Sequence, residues 1–504
     1  MKTTVYRYWK EILLFAVISA VYTICCSPGL TWAGYGSDIG DFFGAAKYGQ
    51  VLHAPGHAAY TMLAYIAVRI PIGSEGWRLA YFGSTIPAIL SAFMAFIIVR
   101  RQTSNFWAPY ITAVVLMGSN IYLLQSAIPE SYAVSVLLVL GVYWFYLTKR
   151  YALASLTLGL VASMHVLGWV SIPIFFIVSK EIRRKWYWFA IVAIAMYAFT
   201  FLRGAYGESF SMISGSTFGM LQYVVGTAVD NNKWWFSLPI WMIDDKIWSS
   251  AIILSGSFGL GLIAMVMAMK RWRRYSIPLA LSIAPMVYYL GCVTDITTKI
   301  VFMAAPFLAM LAGFGSTHMN KYMRISVFIC SMLLLLSLTA RYDIGRSLDP
   351  YLSAQATYEQ FGNLPDGSIV VGLGKYEHND ETLLMGVSGR EQTLLHTYNR
   401  YNGTNHVPIN ISMYVSTMQV EGYGDVGEYY REQMEEEYGI VAPWAGEYIQ
   451  GENNEVETYW KNIHALWEMN QDRVVYYSTV NQKVPFMRIL TPYEGEWKEW
   501  LSVN

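Results

Sequence analysis

Asp38, Asp41, His53 and His57 fall within one short stretch, Gly36-Ser-Asp-Ile-Gly-Asp-Phe-Phe-Gly-Ala-Ala-Lys-Tyr-Gly-Gln-Val-Leu-His-Ala-Pro-Gly-His57. The two acids stand three apart, so a helix beginning here carries both on one face. Asp38 also suits the N-cap of that helix, ahead of an apolar face of Phe42, Ala45 and Ala46. Capping occupies one acid and leaves the other for chemistry. A carboxylate held close to a low-dielectric surface loses hydration and becomes a better proton acceptor, which suits a general base. His53 and His57 bracket Pro55-Gly56, a turn dipeptide. A bound metal would need a third protein ligand, and none is evident nearby. The imidazoles therefore suit hydrogen bonding to a phosphate or a sugar, and no metal or cofactor is expected.

Other polar residues sit between long apolar stretches. Glu130 follows Pro129, His165 lies between two apolar runs, and Arg203 ends another. Arg69 and Arg78 flank an amphipathic stretch, His57–Ile70. A guanidinium presents a planar fork that matches phosphate. A single arginine at a helix end also snorkels toward water, so the case for a site rests on the convergence of these groups.

Convergence requires elements that bring the residues to one face. The chain has 504 residues, 55% hydrophobic and 14% charged, against about 25% charge in an ordinary soluble domain. Its apolar residues gather before residue 341 in runs of about 17–24, long enough to cross a hydrocarbon core of ~30 Å. About eleven spans follow: one near 12–26, then 77–99, 106–124, 128–148, 151–165, 166–179, 186–203, 247–269, 275–292, 299–317 and 323–340. The pair within 151–179 is short enough to be tilted or re-entrant. Basic clusters occupy alternate loops: Arg100-Arg101, Lys149-Arg150, Lys180 with Arg183–Lys185, Lys270–Arg274, and Lys321 with Arg324. Basic loops stay cytoplasmic. The N-terminus is therefore expected inside, and the first long loop, 27–76, outside together with the C-terminus.

Residues 341–504 form a second expected domain. They carry 24 acidic and 11 basic side chains and no cysteine. Leu364-Pro-Asp-Gly reads as a turn before a strand at Ser368–Val371, with another strand at Val474–Tyr477. Helical patterns at Glu428–Tyr438 and Glu455–Glu468 make this domain α/β. The acidic balance argues against nucleic-acid binding. The four cysteines, Cys25, Cys26, Cys292 and Cys330, lie in or beside apolar runs without metal-ligand spacing. A transporter or flippase would carry charged residues within its spans and pseudo-symmetric halves, and the sequence has neither pattern. A non-catalytic exporter subunit or receptor would use the tail to bind partners, and loss of activity on changing Asp38 separates an enzyme from it.

In order, these motifs resemble the O-mannosyltransferase-like group of GT-C glycosyltransferases. The residues that carry the resemblance are Asp38-Ile-Gly-Asp41, His53-Ala-Pro-Gly56, Trp77-Arg78, Gln125-Ser-Ala-Ile-Pro-Glu-Ser-Tyr132, Met164-His165 and Leu364-Pro-Asp-Gly-Ser-Ile-Val-Val. Two positions depart from the family pattern. Asp41 replaces the usual Glu, and His-Ala-Pro-Gly-His replaces His-Pro-Pro-Gly-Tyr. The resemblance implies a polytopic α-helical membrane enzyme of GT-C type, residues 1–340, with an exoplasmic α/β domain. It implies inverting transfer of mannose or another hexose from a polyprenyl- or dolichyl-phosphate donor, with no nucleotide site. The acceptor would be a Ser or Thr hydroxyl of an exported protein, or alternatively a lipid or polysaccharide. Asp38 and Asp41 would be catalytic, with His53, His57, Arg78, Glu130, His165 and Arg203 around donor and sugar. A prokaryotic plasma membrane suits this arrangement better than the endoplasmic reticulum.

Overall fold

The structure, a computed structural model, describes residues 2–29, 39–48, 57–206, 243–290, 297–341, 356, 359–372, 376–378, 381–383, 404–410, 439, 463–480 and 488–495. The chain divides into two compact units, Met1–Gly29 with Ala33–Ser347, and Leu30–Trp32 with Leu348–Asn504.

Among the described residues the first unit is helical. It runs α1 (Lys2–Cys25), α2 (Ile39–Tyr48), α3 (Ala58–Ala67), α4 (Glu75–Ala80), α5 (Ile86–Gln102), α6 (Trp107–Met117), α7 (Asn120–Ser126), α8 (Tyr132–Leu147) and α9 (Tyr151–Met164). It continues with α10 (Ser171–Val178), α11 (Lys180–Arg184), α12 (Trp186–Tyr206), α13 (Ile243–Phe258), α14 (Gly261–Ala268), α15 (Ser276–Leu290), α16 (Thr297–Ser316) and α17 (Lys321–Arg341). All eleven apolar stretches of the sequence lie largely in helix. Their lengths differ from the expectation. Among the described residues three helices are long and apolar enough to cross a membrane, Tyr8–Cys25, Glu75–Gln102 and Thr298–Ser316, or up to five if each bent pair is one span. The bent pairs break at Gly118-Ser119, by 63°, and at Gly259-Leu260, by 109°. Gly259 takes φ +48°, a conformation that costs glycine little and ends the helix. Shorter apolar helices such as α8, with 16 residues, rise about 24 Å and fall short of the ~30 Å core.

Helix α16 is the hub, packed on α6, α14 and α15. Ile300, Val301, Phe302, Ala305, Ala309 and Ala312 are buried along it. At Gly315 an added Cβ would overlap the backbone carbonyl of Ala264, so close approach to α14 requires glycine there. Between α4 and α5 the backbone forms a π turn, Tyr81–Thr85, which keeps 75–102 one continuous helix while turning Ser84 and Thr85 toward the Gln125–Ser131 loop.

The second unit holds a four-stranded sheet in the order β4-β1-β5-β6 and a two-stranded ribbon of β2 with β3. The strands are β1 (Ile369–Gly372), β2 (Tyr376–His378), β3 (Glu381–Leu383), β4 (Val407–Asn410), β5 (Val475–Val480) and β6 (Arg488–Pro492). Strand β1 is parallel to β4 and β5, and β6 is antiparallel to β5. Both strands expected from the sequence are present. The Pro365-Asp-Gly-Ser turn closes through Ser368 N to Pro365 O at 3.1 Å, with Gly367 at φ +76° as a type II turn demands. The pattern at Glu455–Glu468 is helical over residues 463–468, and Glu428–Tyr438 lies outside the described residues.

His406 is buried at the start of β4, and burial pushes its imidazole below the usual range against the pull of Asp366. An unfolded histidine takes up its proton near pH 6.5, before the folded one does, so stability falls as the pH drops below about 6.5. Above that value the contribution is complete. In the intact chain, intrinsically corrected hydrogen exchange at Ile369–Gly372 and Val407–Asn410 should accelerate from pH 7.5 to 5.5. His406→Gln should flatten that dependence. Equal slopes in both proteins would rule out His406 as the cause.

Candidate functional site

Helix α2 carries Asp41 and begins at Ile39, directly after Asp38. Asp38 and His53 lie outside the described residues, as do the side chains of Asp41 and Arg203, whose backbones belong to α2 and α12. The expected apolar face of α2 is buried: Phe42, Ala45 and Ala46, joined by Phe43. Phe42 meets the His57 ring edge-on at 5.7 Å and the Tyr60 ring at 4.8 Å. These contacts fasten the acid-bearing helix to the start of α3.

His57 occupies the N-cap position of α3 in the left-handed region, φ 38° and ψ 46°. That conformation costs a non-glycine residue roughly 1 kcal/mol, although histidine is among those that adopt it most readily. A tertiary bond holds it: Nδ1 lies 2.9 Å from the Met164 carbonyl at the end of α9. A carbonyl only accepts, so Nδ1 carries the hydrogen of this bond. His165 is the opposite tautomer. It sits in extended backbone between α9 and a 3-10 turn, Val166–Val170, and its Nδ1 accepts from Leu167 N at 3.0 Å. An amide N–H only donates, so His165 carries its hydrogen on Nε2. The two rings lie 4.8 Å apart. The pair thus combines a ring that donates through Nδ1 with one that accepts through Nδ1 and carries its hydrogen on Nε2.

Tyr132 extends the cluster, its ring 4.6 Å from His165. Lys299, on α16, places Nζ 5.4 Å from the Tyr132 ring centroid, within cation–π range. Glu130 is buried beside Tyr60. Its backbone is locked in register, because Ser84 Oγ donates to Glu130 O at 2.9 Å and accepts from Glu130 N at 2.8 Å. Thr85 Oγ1 adds a bond to Ser126 O at 2.8 Å. The π turn therefore anchors the loop that carries Glu130 and leads into Tyr132, the first residue of α8.

Of the expected site residues, the structure brings His57 and His165 together, with Tyr132 beside them and Glu130 in the adjoining loop. Arg78 is engaged elsewhere: Nη1 donates to the Ile70 carbonyl and Nη2 lies 3.8 Å from Glu75. The sequence reading missed Lys299 and Lys246. Lys246 is buried, with Nζ 3.2 Å from the Tyr289 carbonyl and 4.8 Å from the Tyr289 ring. For Lys299 a signal existed. Lys299 is the one charged residue of α16, and an ionisable group in an otherwise apolar span marks function by default. Among the described residues no cluster of three His, Cys, Asp or Glu has the arrangement of a metal site.

No known family's sequence profile matches the chain. Over 141 residues, 26% of its length, it is 26% identical to the protein O-mannosyl-transferase tmem260 of Dictyostelium discoideum, and it spans 17% of the length of that relative. The fold is similar to that of ArnT from Cupriavidus metallidurans. In the apo state the TM-score is 0.56 at 12% identity, over 97% of this chain and 98% of that one. Bound to undecaprenyl phosphate, ArnT matches at TM-score 0.55 and 12% identity, over 82% of this chain and 91% of that one. The chain therefore has an ArnT-like fold.

Proposed function

We propose that this chain is an integral-membrane glycosyltransferase of GT-C type. It moves a hexose from a polyprenyl-phosphate carrier to a hydroxyl of an exported protein on the outer membrane face. One observation carries the reading: the helix that bears Asp41 packs through Phe42 against His57, whose ring neighbours His165, in a chain with the fold of ArnT. Similarity to an O-mannosyl-transferase supports a protein hydroxyl as acceptor, and the undecaprenyl phosphate bound to ArnT supports the carrier.

In this mechanism the Asp38 carboxylate accepts the proton of the acceptor hydroxyl. The hydroxyl oxygen forms a bond to the anomeric carbon from the face opposite the phosphate. The carbon–oxygen bond to phosphate breaks, and the lipid phosphate leaves with the electron pair and inversion at the anomeric centre. Lys299 supplies a cation for the charge that develops on the phosphate. The His57 and His165 rings hold sugar hydroxyls, so that most of the rate comes from orientation.

The test uses purified protein in lipid nanodiscs with radiolabelled mannosyl and glucosyl polyprenyl phosphates. Label should pass to a Ser/Thr-rich peptide with inverted configuration. Label appearing in a lipid or polysaccharide instead would replace the acceptor, and no transfer from any polyprenyl-phosphate sugar would overturn the reading.

A further inference from the structure

Four buried side chains, Phe42, Phe43, Ala45 and Ala46, fix one face of α2 but not its carboxyl end. That end is closed by an arginine from the turn that follows α3. Arg69 Nη1 donates to the Ala46 carbonyl at 3.0 Å and to the Tyr65 carbonyl at 2.8 Å, and Nη2 donates to the Lys47 carbonyl at 3.1 Å. The guanidinium carbon lies 3.3 Å from the Tyr65 ring centroid. Carbonyls in the last turn of a helix lack partners within it and form the negative end of its dipole. One planar cation therefore caps the ends of α2 and α3 together. Beside it, Lys47 Nζ pairs with Glu75 Oε2 at 2.7 Å, which ties the same end of α2 to the first residue of α4.

The sequence suggested Arg69 as a phosphate holder, but its fork is turned on backbone oxygens. We infer that Arg69, seconded by the Lys47–Glu75 pair, is a positioning residue for sugar transfer: a cap supplied from the turn after α3 that fixes the helix to which Asp41 belongs and which Asp38 directly precedes. The inference rests on the function proposed above, in which Asp38, directly before α2, is the base and Asp41 lies on α2. A lysine keeps the charge but not the fork, so it cannot bridge both helix ends. Arg69 is exposed, and its removal opens no core cavity.

The experiment uses the full chain in nanodiscs and reads two quantities in Arg69→Gln and Arg69→Lys. The first is transfer, separated into kcat and the donor KM. The second is hydrogen exchange at the amides of residues 43–48. Arg69→Gln should lower kcat about tenfold, because a small misplacement of reacting groups is costly, while donor KM stays within about twofold. The same amides should exchange about tenfold faster, the usual response to loss of a cap of about 1.4 kcal/mol. Arg69→Lys should fall between the two. A raised donor KM with unchanged kcat would make Arg69 a donor ligand and overturn the inference. Unchanged exchange together with unchanged kcat would overturn it as well. Absence of transfer in the unaltered protein defeats the functional reading instead, and the exchange arm still decides whether Arg69 caps α2.

Discussion

Asp38→Asn lowers sugar transfer by about 10²-fold or more, the scale on which loss of a general base is felt, while donor lipid still binds. The substitution separates two roles that the sequence leaves superimposed. Asp38 immediately precedes Ile39, the first residue of α2, and so stands where an N-cap belongs. Asparagine caps a helix about as well as aspartate, so Asp38→Asn keeps that role along with the size of the side chain. It does not accept a proton at neutral pH. A loss of turnover with matched thermal stability and donor binding thus reports proton acceptance alone. Asp41→Asn should cost less, because Asp41 already stands one methylene short of the glutamate usual in the family it resembles. A base must reach within ~3 Å of its proton, and a position that tolerates shortening is a poor candidate for that task. Near-normal turnover by Asp38→Asn, measured on purified protein, would move the role to Asp41 or out of this loop.

What the sequence made legible was set by the range of the interactions involved. Apolar runs, the turn at Pro365–Ser368 and the apolar face of α2 are local patterns, and each has its counterpart in the structure. The meeting of His57 with His165 was legible only as a motif order, since it joins residues 107 and more positions apart through the Met164 carbonyl. Helix lengths were less legible. Hydropathy measures how apolar a run is, but the breaks at Gly118-Ser119 and at Gly259 depend on backbone conformation and packing. The arginines show the limit most clearly. Their residue type suggested phosphate, but the fork of Arg69 is filled by the carbonyls of Tyr65, Ala46 and Lys47, and Arg78 is engaged by Ile70 and Glu75. A guanidinium matches a helix end as well as it matches a phosphate, and only the fold decides between them. Lys299 was overlooked for the converse reason. One lysine scarcely changes the hydropathy of a run, although its ammonium stands within cation–π range of Tyr132.

The second large effect should come from His165, and the direction of its two amide replacements tests whether the ring acts or merely folds. Its Nδ1 accepts from Leu167 N and opens the 3-10 turn after α9, so part of its role is that of a cap. Asparagine places its amide oxygen near the Nδ1 position and is a strong N-cap, whereas glutamine places its amide near Nε2 and caps poorly. A purely structural histidine predicts that His165→Asn is nearly neutral and that His165→Gln is the damaging change. A ring whose Nε2–H holds the donor sugar predicts the reverse order in catalysis. His165→Asn should then keep its melting temperature and lose about 10²-fold in kcat/KM, the cost of one fixed donor in a water-excluded site. His165→Gln should lose stability but retain more turnover per folded molecule. The comparison is made on kcat/KM normalised to folded protein, with melting temperatures measured in the same nanodiscs. If His165→Asn transfers sugar as fast as the unaltered chain, His165 is a cap alone, and its half of the imidazole pair has no part in the reaction.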